Sequence, residues 1–369
     1  MSRLDCAASC LEVIDQLAEQ AVSLGASDVH ISGQTLPYYR IDSQLTPWGD
    51  TPVESDVVES WLESVMSDAQ RAVFRRRLTI DLAYTTQGGH RFRVNAFRQR
   101  GQTALAFRYL DNRFQTLEEL NLPEQVAELA EFPHGLVVVT GPTGSGKSTT
   151  LAALLHRINV TRPCHIITIE DPVEYLHANR RSLVRQRELY SDVLSFADAV
   201  RAALREDPDV LLVGEMRDVE TMRAAITAAE TGHLVFSSLH TGDCVGVIDR
   251  IVSVFPAQEQ PSVRDQLSRV LRAVVSQRLL CRADGRGRVP AVEILRVTTA
   301  VANQIRSGEP HQIYSVLQTA THDGMLLLEQ SLADLVVVGL IDRQEAYQVA
   351  RDPNILECRM SMLRAKRSR

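Results

Sequence analysis

The chain lacks any apolar stretch long enough to cross a membrane. Its most apolar late run, Leu335 to Ile341, is far short of the ~20 residues that a spanning helix needs. Nor does an apolar run of the kind that marks a signal peptide follow Met1 to Cys6. Both absences predict a cytoplasmic protein with no transmembrane segment. Cysteine is sparse: Cys6, Cys10, Cys164, Cys244, Cys281 and Cys358 contain no C-x-x-C pair. Neither a zinc site nor a disulfide framework is therefore expected, and the thiols read as buried or incidental. A basic excess is missing too, since 40 Lys and Arg stand against 46 Asp and Glu, a net charge of −6. Proteins whose main partner is nucleic acid usually show the opposite balance, so no specific nucleic-acid partner is expected. Internal repeats and low-complexity tracts are also absent. What remains is a chain of 369 residues, 44% hydrophobic and 23% charged. That is a soluble globular composition with room for two domains.

Hydrophobic periodicity divides it. Leu11, Ile14, Leu17, Ala18, Ala21 and Leu24 share one helical face that Gly25 ends. A short strand follows at Asp28 to Ser32. Thr51-Pro52-Val53-Glu54 reads as a capping box with proline at the first helical position, opening a helix on Val57, Val58, Leu62 and Val65. Strand-like runs come next at Thr79 to Tyr84, His90 to Phe97 and Thr103 to Leu110, the first two joined by a turn at Gln87-Gly88-Gly89. This is an α+β pattern, and Asp111 to Thr116 reads as a linker. Beyond it, the apolar runs Gly135 to Thr140, Cys164 to Ile169, Asp209 to Val213 and Leu234 to Leu239 alternate with helices, one of them opened by Ser195. Such runs belong to a buried parallel sheet, so a doubly wound α/β core is predicted. From about Thr298 the pattern is helical only, on Ile305, Ile313, Val316, Leu317 and Leu326 to Leu328.

Gly141-Pro142-Thr143-Gly144-Ser145-Gly146-Lys147-Ser148 fits G-x-x-x-x-G-K-[ST] at every fixed position. It lies between a buried-type strand and a helical stretch, Ser148 to Ile158, which is the setting phosphate binding requires. Glycines there let backbone N–H groups turn inward to cradle phosphate oxygens at the helix N-terminus. Lys147 would reach the β- and γ-phosphates, Ser148 would offer a hydroxyl to Mg²⁺, and Thr149 follows within the same ATP-binding turn. A second acidic element, Asp207 to Glu215, ends an apolar strand with a carboxylate at the crevice where α/β ligands sit. Glu215 is thus a candidate magnesium or water contact. No N-K-x-D guanine-selecting element follows, which favours ATP over GTP.

Two further stretches narrow the class. Ile167 to Tyr175, containing Glu170-Asp171-Pro172 and Glu174, resembles the aspartate box of secretion and pilus ATPases. Glu230 to Asp243, containing His233 and His240, resembles their histidine box. Gly25 to Ser32 and Arg91 to Phe97 match landmarks of their first domain. With the phosphate loop and Leu204 to Asp218, the chain from about residue 10 to 345 resembles the hexameric type II/IV secretion and pilus ATPase superfamily, most of all the type IV pilus retraction (twitching motility) ATPases. The resemblance implies an α/β protein with an N-terminal α+β, PAS-like domain over 1–110, a linker over 111–117, a RecA-like ATPase core over 118–297 and a C-terminal helical segment with a basic tail over 298–369. It implies a homo-hexameric motor that hydrolyses ATP with Mg²⁺ to power pilus retraction at the inner membrane. Its partners would be a membrane platform protein and a second pilus ATPase.

The same resemblance assigns roles. Glu170 would polarise the attacking water and Glu215 would hold Mg²⁺ through water, although sequence leaves the two interchangeable. His240 would contact the γ-phosphate; His233 would support the same wall, but reads almost equally as a structural histidine. Arg91 and Arg93 project from one strand face, and spacing alone reads as a solvated face with salt bridges. The resemblance implies instead that two of Arg91, Arg93 and Arg108 complete the site as arginine fingers.

Secretion and assembly relatives usually carry a cysteine-paired metal module, whereas Leu279 to Arg288 here is short and has one cysteine. That points to the retraction branch. A pilus-assembly or secretion ATPase is the alternative of the same superfamily, and a low-turnover P-loop regulator or nucleic-acid-binding ring is the alternative of another class. Ala302 to Glu309 departs from the retraction pattern, with an acidic residue where lysine is usual. The tail Arg359 to Arg369 has five basic residues and no acidic one. It reads as a solvated terminus, with a peripheral lipid contact through Met360, Met362 and Leu363 left open.

Overall fold

The computed structural model describes residues 3–111, 113–319 and 323–367. Asn112 of the expected linker and the terminal Ser368 and Arg369 lie outside the described residues. Contacts divide the chain into two units. The first runs to Arg113 and also takes in Ile169–Leu176 and Gln186–Ser195; the second holds Phe114–Thr168, His177–Arg185 and Phe196–Arg369. Those two later segments of the first unit lie within the stretch that the strand–helix alternation gives to the ATPase core.

The first unit contains α1 (Arg3–Ser23), β1 (Asp28–Ser32), β2 (Tyr38–Ile41), β3 (Gln44–Pro47), α2 (Ser55–Val65), α3 (Asp68–Arg77), β4 (Thr79–Thr85), β5 (Arg91–Gln99) and β6 (Gln102–Leu110). Its strands form an antiparallel sheet in the order β3-β2-β1-β6-β5-β4. Period-two alternation sorts β5 cleanly. Phe92, Val94 and Ala96 are buried among Ile14 and Ala18 of α1 and Trp61 of α2, while Arg91, Arg93 and Asn95 occupy the other face. Trp61 and Phe92 both pack on Phe107, with ring centroids 5.2 and 5.8 Å apart.

The expected capping box at Thr51 to Glu54 does not form. Val53 pairs with Thr35 in an isolated bridge, so α2 starts at Ser55 with an N-cap, Glu54, whose side chain makes no cap bond. A true capping box opens α3 instead, Ser67 reciprocating with Gln70.

The second unit continues with α4 (Glu124–Ala127), β7 (Gly135–Thr140), α5 (Lys147–Thr161), β8 (His165–Glu170), β9 (Leu183–Glu188), α6 (Phe196–Ala203), β10 (Val210–Val213), α7 (Val219–Glu230), β11 (Leu234–Leu239), α8 (Cys244–Ser253), α9 (Gln260–Val270), β12 (Leu271–Cys281) and β13 (Arg288–Arg296). The last residues of β8 and of β9 fall in the first unit. The sheet order is β13-β12-β7-β11-β10-β8-β9. β7 lies parallel between β12 and β11, and β13 returns antiparallel along β12. Every residue of β7, β10 and β11 is buried, as continuous apolar runs in a covered parallel sheet must be.

Helices α10 (Thr299–Ser307), α11 (Ile313–Thr319), α12 (Leu328–Val337), α13 (Arg343–Val349) and α14 (Pro353–Arg367) close the chain. Leu328, Leu332, Leu356 and Met360 form a core with Leu280, Val289 and Ala291 of the β12–β13 hairpin. The tail thus departs from a frayed terminus: it is helical to Arg367, Met360 is 1% exposed and Leu363 packs on the same core. Only Met362 of the three apolar tail residues considered for lipid stays exposed.

Candidate nucleotide site

The ends of three strands come together around the phosphate loop. Thr140 closes β7 and is level with Leu239 of β11 on one side and Ser276 of β12 on the other. The loop from Gly141 to Gly146 leaves at that point and feeds α5, whose N-cap Gly146 has φ +89°. Pro142, Thr143, Gly144 and Ser148 are exposed, while Ser145 and Lys147 are buried. Lys147 donates through Nζ to the Gly141 and Pro142 carbonyls, 3.0 Å each, which keeps its charge on the loop. Thr149 lies in the first turn of α5.

Gln277 of β12 is the loop's inner support. Its Nε2 donates to the Ser145 carbonyl at 2.8 Å, and its Oε1 accepts from the Thr150 hydroxyl at 2.8 Å. A Cβ on Gly141 would collide with the Gln277 carbonyl and one on Gly146 with its side-chain amide. Those two glycines are therefore demanded by sterics as well as by their positive φ.

Beyond β10 and β11 a second wall forms. Ser238 donates to the Gly214 carbonyl at 2.6 Å, and Met216 N–H to the Ser238 carbonyl at 3.3 Å. This ties the Glu215 turn to the end of β11, where His240 Nε2 stands 3.6 Å from one Glu215 oxygen and Arg217 Nη2 2.7 Å from the other. Thr241 N–H donates to the Thr140 hydroxyl oxygen at 2.9 Å, so the histidine turn is fastened to the last residue before the phosphate loop. Glu215 and His240 are thus brought together at the loop's end of the sheet. His233 is not. It precedes β11, its Nδ1 paired with the Ala228 carbonyl at 3.0 Å, and its carbonyl accepts from Gly135 N–H at the start of β7. At about 3.3 Å per strand residue, that is roughly 20 Å from His240.

In the first unit, Arg91 donates from Nε and Nη2 to the Val173 carbonyl at 3.0 and 2.8 Å and from Nη1 to Thr85 Oγ1 at 3.0 Å. Burial pulls its pKa down, opposed by the charges of Glu188 and Glu170. Glu188 is itself raised by burial, against hydrogen bonding by Val173 N–H and the Arg91 charge. Glu170 accepts from Gln186 Nε2 at 3.3 Å. Arg93 stands 3.4 Å from Asp81 and 3.6 Å from Glu174. Arg108 pairs with Asp28 at 3.0 Å, its side chain 69% exposed. The aspartate-box carboxylates therefore share a unit with all three candidate arginines.

The sequence profile of the type II/IV secretion system protein family matches residues 4–352. The chain belongs to this family. It is 46% identical over 340 residues to the type IV pilus retractation ATPase PilT of Pseudomonas aeruginosa, covering 92% of this chain and 98% of that protein. It is also 46% identical over 347 residues to a twitching motility protein of Neisseria gonorrhoeae, covering 94% and 92%. A crystal structure of the pilus retraction motor PilT with bound ADP superposes with a TM-score of 0.83 at 44% identity, over 94% of this chain and 99% of that one. For a secretion-family ATPase the fold is the expected one: an N-terminal α+β domain, then a RecA-like core with a helical C-terminal segment. Two residues of the site carry no motif of their own. Arg217 lies two residues past Glu215, within the Leu204 to Asp218 stretch but without a separate signal, and Gln277 shows only as part of a polar Ser-Gln-Arg interruption in an apolar strand.

Proposed function

We propose that this chain is an ATP-hydrolysing motor that powers type IV pilus retraction. The observation that carries the reading is the identity to PilT along nearly the whole length of both chains, first domain included. In this reading the loop from Gly141 to Thr149 holds the phosphates of ATP, Lys147 neutralises their charge, and Glu215 and His240 face the γ-phosphate. Glu170 polarises the attacking water. Mg²⁺ arriving with phosphates needs only one or two protein oxygens; the exposed Ser148 hydroxyl and, through water, Glu215 are hard donors suited to it. Countering charge on the transferring phosphoryl group falls to the arginines, with Arg108 the most exposed of them, while His233 has the structural role of bracing the start of β11 against β7. The working form is a ring of six copies acting on an inner-membrane platform protein, alongside a second pilus ATPase. The ring works from the cytoplasmic face; among the described residues no helix is long and apolar enough to cross a membrane. The domain limits of 1–110, 111–117, 118–297 and 298–369 belong to the same proposal.

Purified protein should release phosphate from ATP, and Lys147→Ala should abolish that release while leaving the melting temperature near the parent's. Turnover that survives Lys147→Ala would reject the site.

A further inference from the structure

Gln277 is a buried amide, 2% exposed, set one residue past the point where β12 stops running level with β7. Both side-chain hydrogen bonds described above go to the phosphate loop and the helix that follows. The orientation of its amide is fixed by its partners: a carbonyl can only accept, so the NH₂ group faces Ser145, and the oxygen faces the Thr150 hydroxyl.

The consequence lies in the peptide between Ser145 and Gly146. In a trans peptide the C=O and the following N–H point in opposite directions. Anchoring the Ser145 carbonyl on Gln277 therefore turns the Gly146 N–H to the face of the loop away from β12. Glycine at 146 has little steric resistance to rotation of that peptide, so sterics at 146 do not hold it. A rotated peptide would present a carbonyl oxygen where an anion needs a donor. The bond from Thr150 in turn holds the Gln277 amide in its plane, linking the first turn of α5 to the same adjustment.

We propose that Gln277 is a positioning residue for nucleotide binding. By holding the Ser145–Gly146 peptide plane, it aims a backbone N–H at the phosphates of ATP and ADP. The proposal rests on the nucleotide-site reading above and assigns to it a residue from β12. Because the effect concerns phosphate and not base, it is the same for any ligand that presents a pyrophosphate to the loop.

The test uses the full-length protein with Gln277→Met, which fills similar volume without an amide, and Gln277→Asn, which keeps the amide but is too short to reach Ser145. ADP and inorganic pyrophosphate are titrated calorimetrically, and ATP turnover gives KM and kcat separately. Loss of one buried hydrogen bond predicts about tenfold weaker binding of both ligands in each variant. KM for ATP should rise in step, with kcat changed by no more than about twofold, the signature of lost uniform binding. Thr150→Val, which leaves the Ser145 bond in place, should weaken binding by less than either Gln277 variant. A merely structural role would lower the melting temperature and the active fraction but leave KM and the ligand affinities of the folded protein alone. Parent-like ADP and pyrophosphate affinity in whichever Gln277 variant folds would overturn the proposal. Lys147→Ala in parallel separates the two readings. If it loses turnover while the Gln277 variants bind normally, only the positioning role falls; if it keeps turnover, the site itself falls.

Discussion

Arg91 and Arg108 leave adjacent strands of one sheet, yet the two guanidinium groups meet different surroundings. Arg91 is committed: each of its nitrogens donates to a neighbour, and the Val173 carbonyl it clamps belongs to the loop that follows Glu170. Among the described residues Arg108 has a single carboxylate partner, Asp28, and its side chain is exposed. The sequence reading grouped both as candidate fingers on the family resemblance, because spacing reports which face a strand residue takes, not how its charge is used. Their alanine variants should separate. Arg91→Ala leaves Glu188 without its cation and the Val173 carbonyl without its donors, and should cost roughly 2–3 kcal/mol in denaturant unfolding, with turnover falling alongside. Arg108→Ala should leave stability within about 0.5 kcal/mol yet cut kcat steeply if the exposed guanidinium meets phosphate. Near-normal ATPase activity in Arg108→Ala would remove it from the catalytic set.

At the scale of elements, legibility followed continuity of the apolar signal. β7 and β11, buried at every position, were readable to the residue because their few polar residues, Thr140, Ser237 and Ser238, are small, uncharged and buried. β12 was not, since Ser276, Gln277 and Arg278 break its pattern; Ser276 and Arg278 bond the Gly242 carbonyl, as Gln277 bonds the loop. The polarity that hid the strand is what it contributes to the site. β3 escaped for the opposite reason, being exposed along its whole length. The C-terminal helices were legible as helices, but not the buried cluster that fastens them. Glu329 accepts from the backbone N–H groups of Arg351 and Asp352, and the Arg351 guanidinium lies 2.9 Å from Glu293 of β13. Glu293 is 1% exposed and also accepts from Cys244 N–H just beyond the histidine turn. Removing the cation strands a buried carboxylate, so Arg351→Ala should destabilise by about 3–5 kcal/mol in equilibrium unfolding. A loss below 1 kcal/mol, on the order of an exposed pair, would show that the cluster carries no such charge coupling.

A second element-scale joint is sensitive to pH. Phe114, the first residue of the second unit, stacks on His156 of α5 at 5.0 Å and lies 4.5 Å from His177. Burial, with a smaller contribution from His156, pushes the His177 pKa down from 6.5 to about 4. The folded chain therefore binds fewer protons there than the unfolded chain between those limits. Its contribution to stability is complete above pH 6.5 and is lost as pH falls toward about 4, with a slope of up to about 1.4 kcal/mol per pH unit. His177→Phe keeps a ring against Phe114 and takes up no proton, so its unfolding free energy should fall less steeply than the parent's over that range. Parallel pH profiles for the two proteins would remove His177 as the source.

For the whole molecule the property to test is direction. Hydrolysis and ring formation are common to motors that build a pilus and motors that dismantle it, so no residue of the phosphate site distinguishes them. The chain's own departures lie elsewhere. In α10, Ile305 is buried and Arg306 stands 3.4 Å from Asp265, while the acidic Glu309 just beyond accepts from Gln312. Direction is therefore read from what happens to the filament when the motor is withdrawn. If the motor removes subunits at the filament base, deleting its gene leaves assembly unopposed, and cells should carry excess pili that do not retract. A chromosomal Lys147→Ala allele should reproduce that phenotype, because the work comes from turnover and not from the presence of the protein. Bald cells after deletion would assign the chain to assembly, and normal retraction in the Lys147→Ala strain would mean that this motor's hydrolysis is not what shortens the pilus.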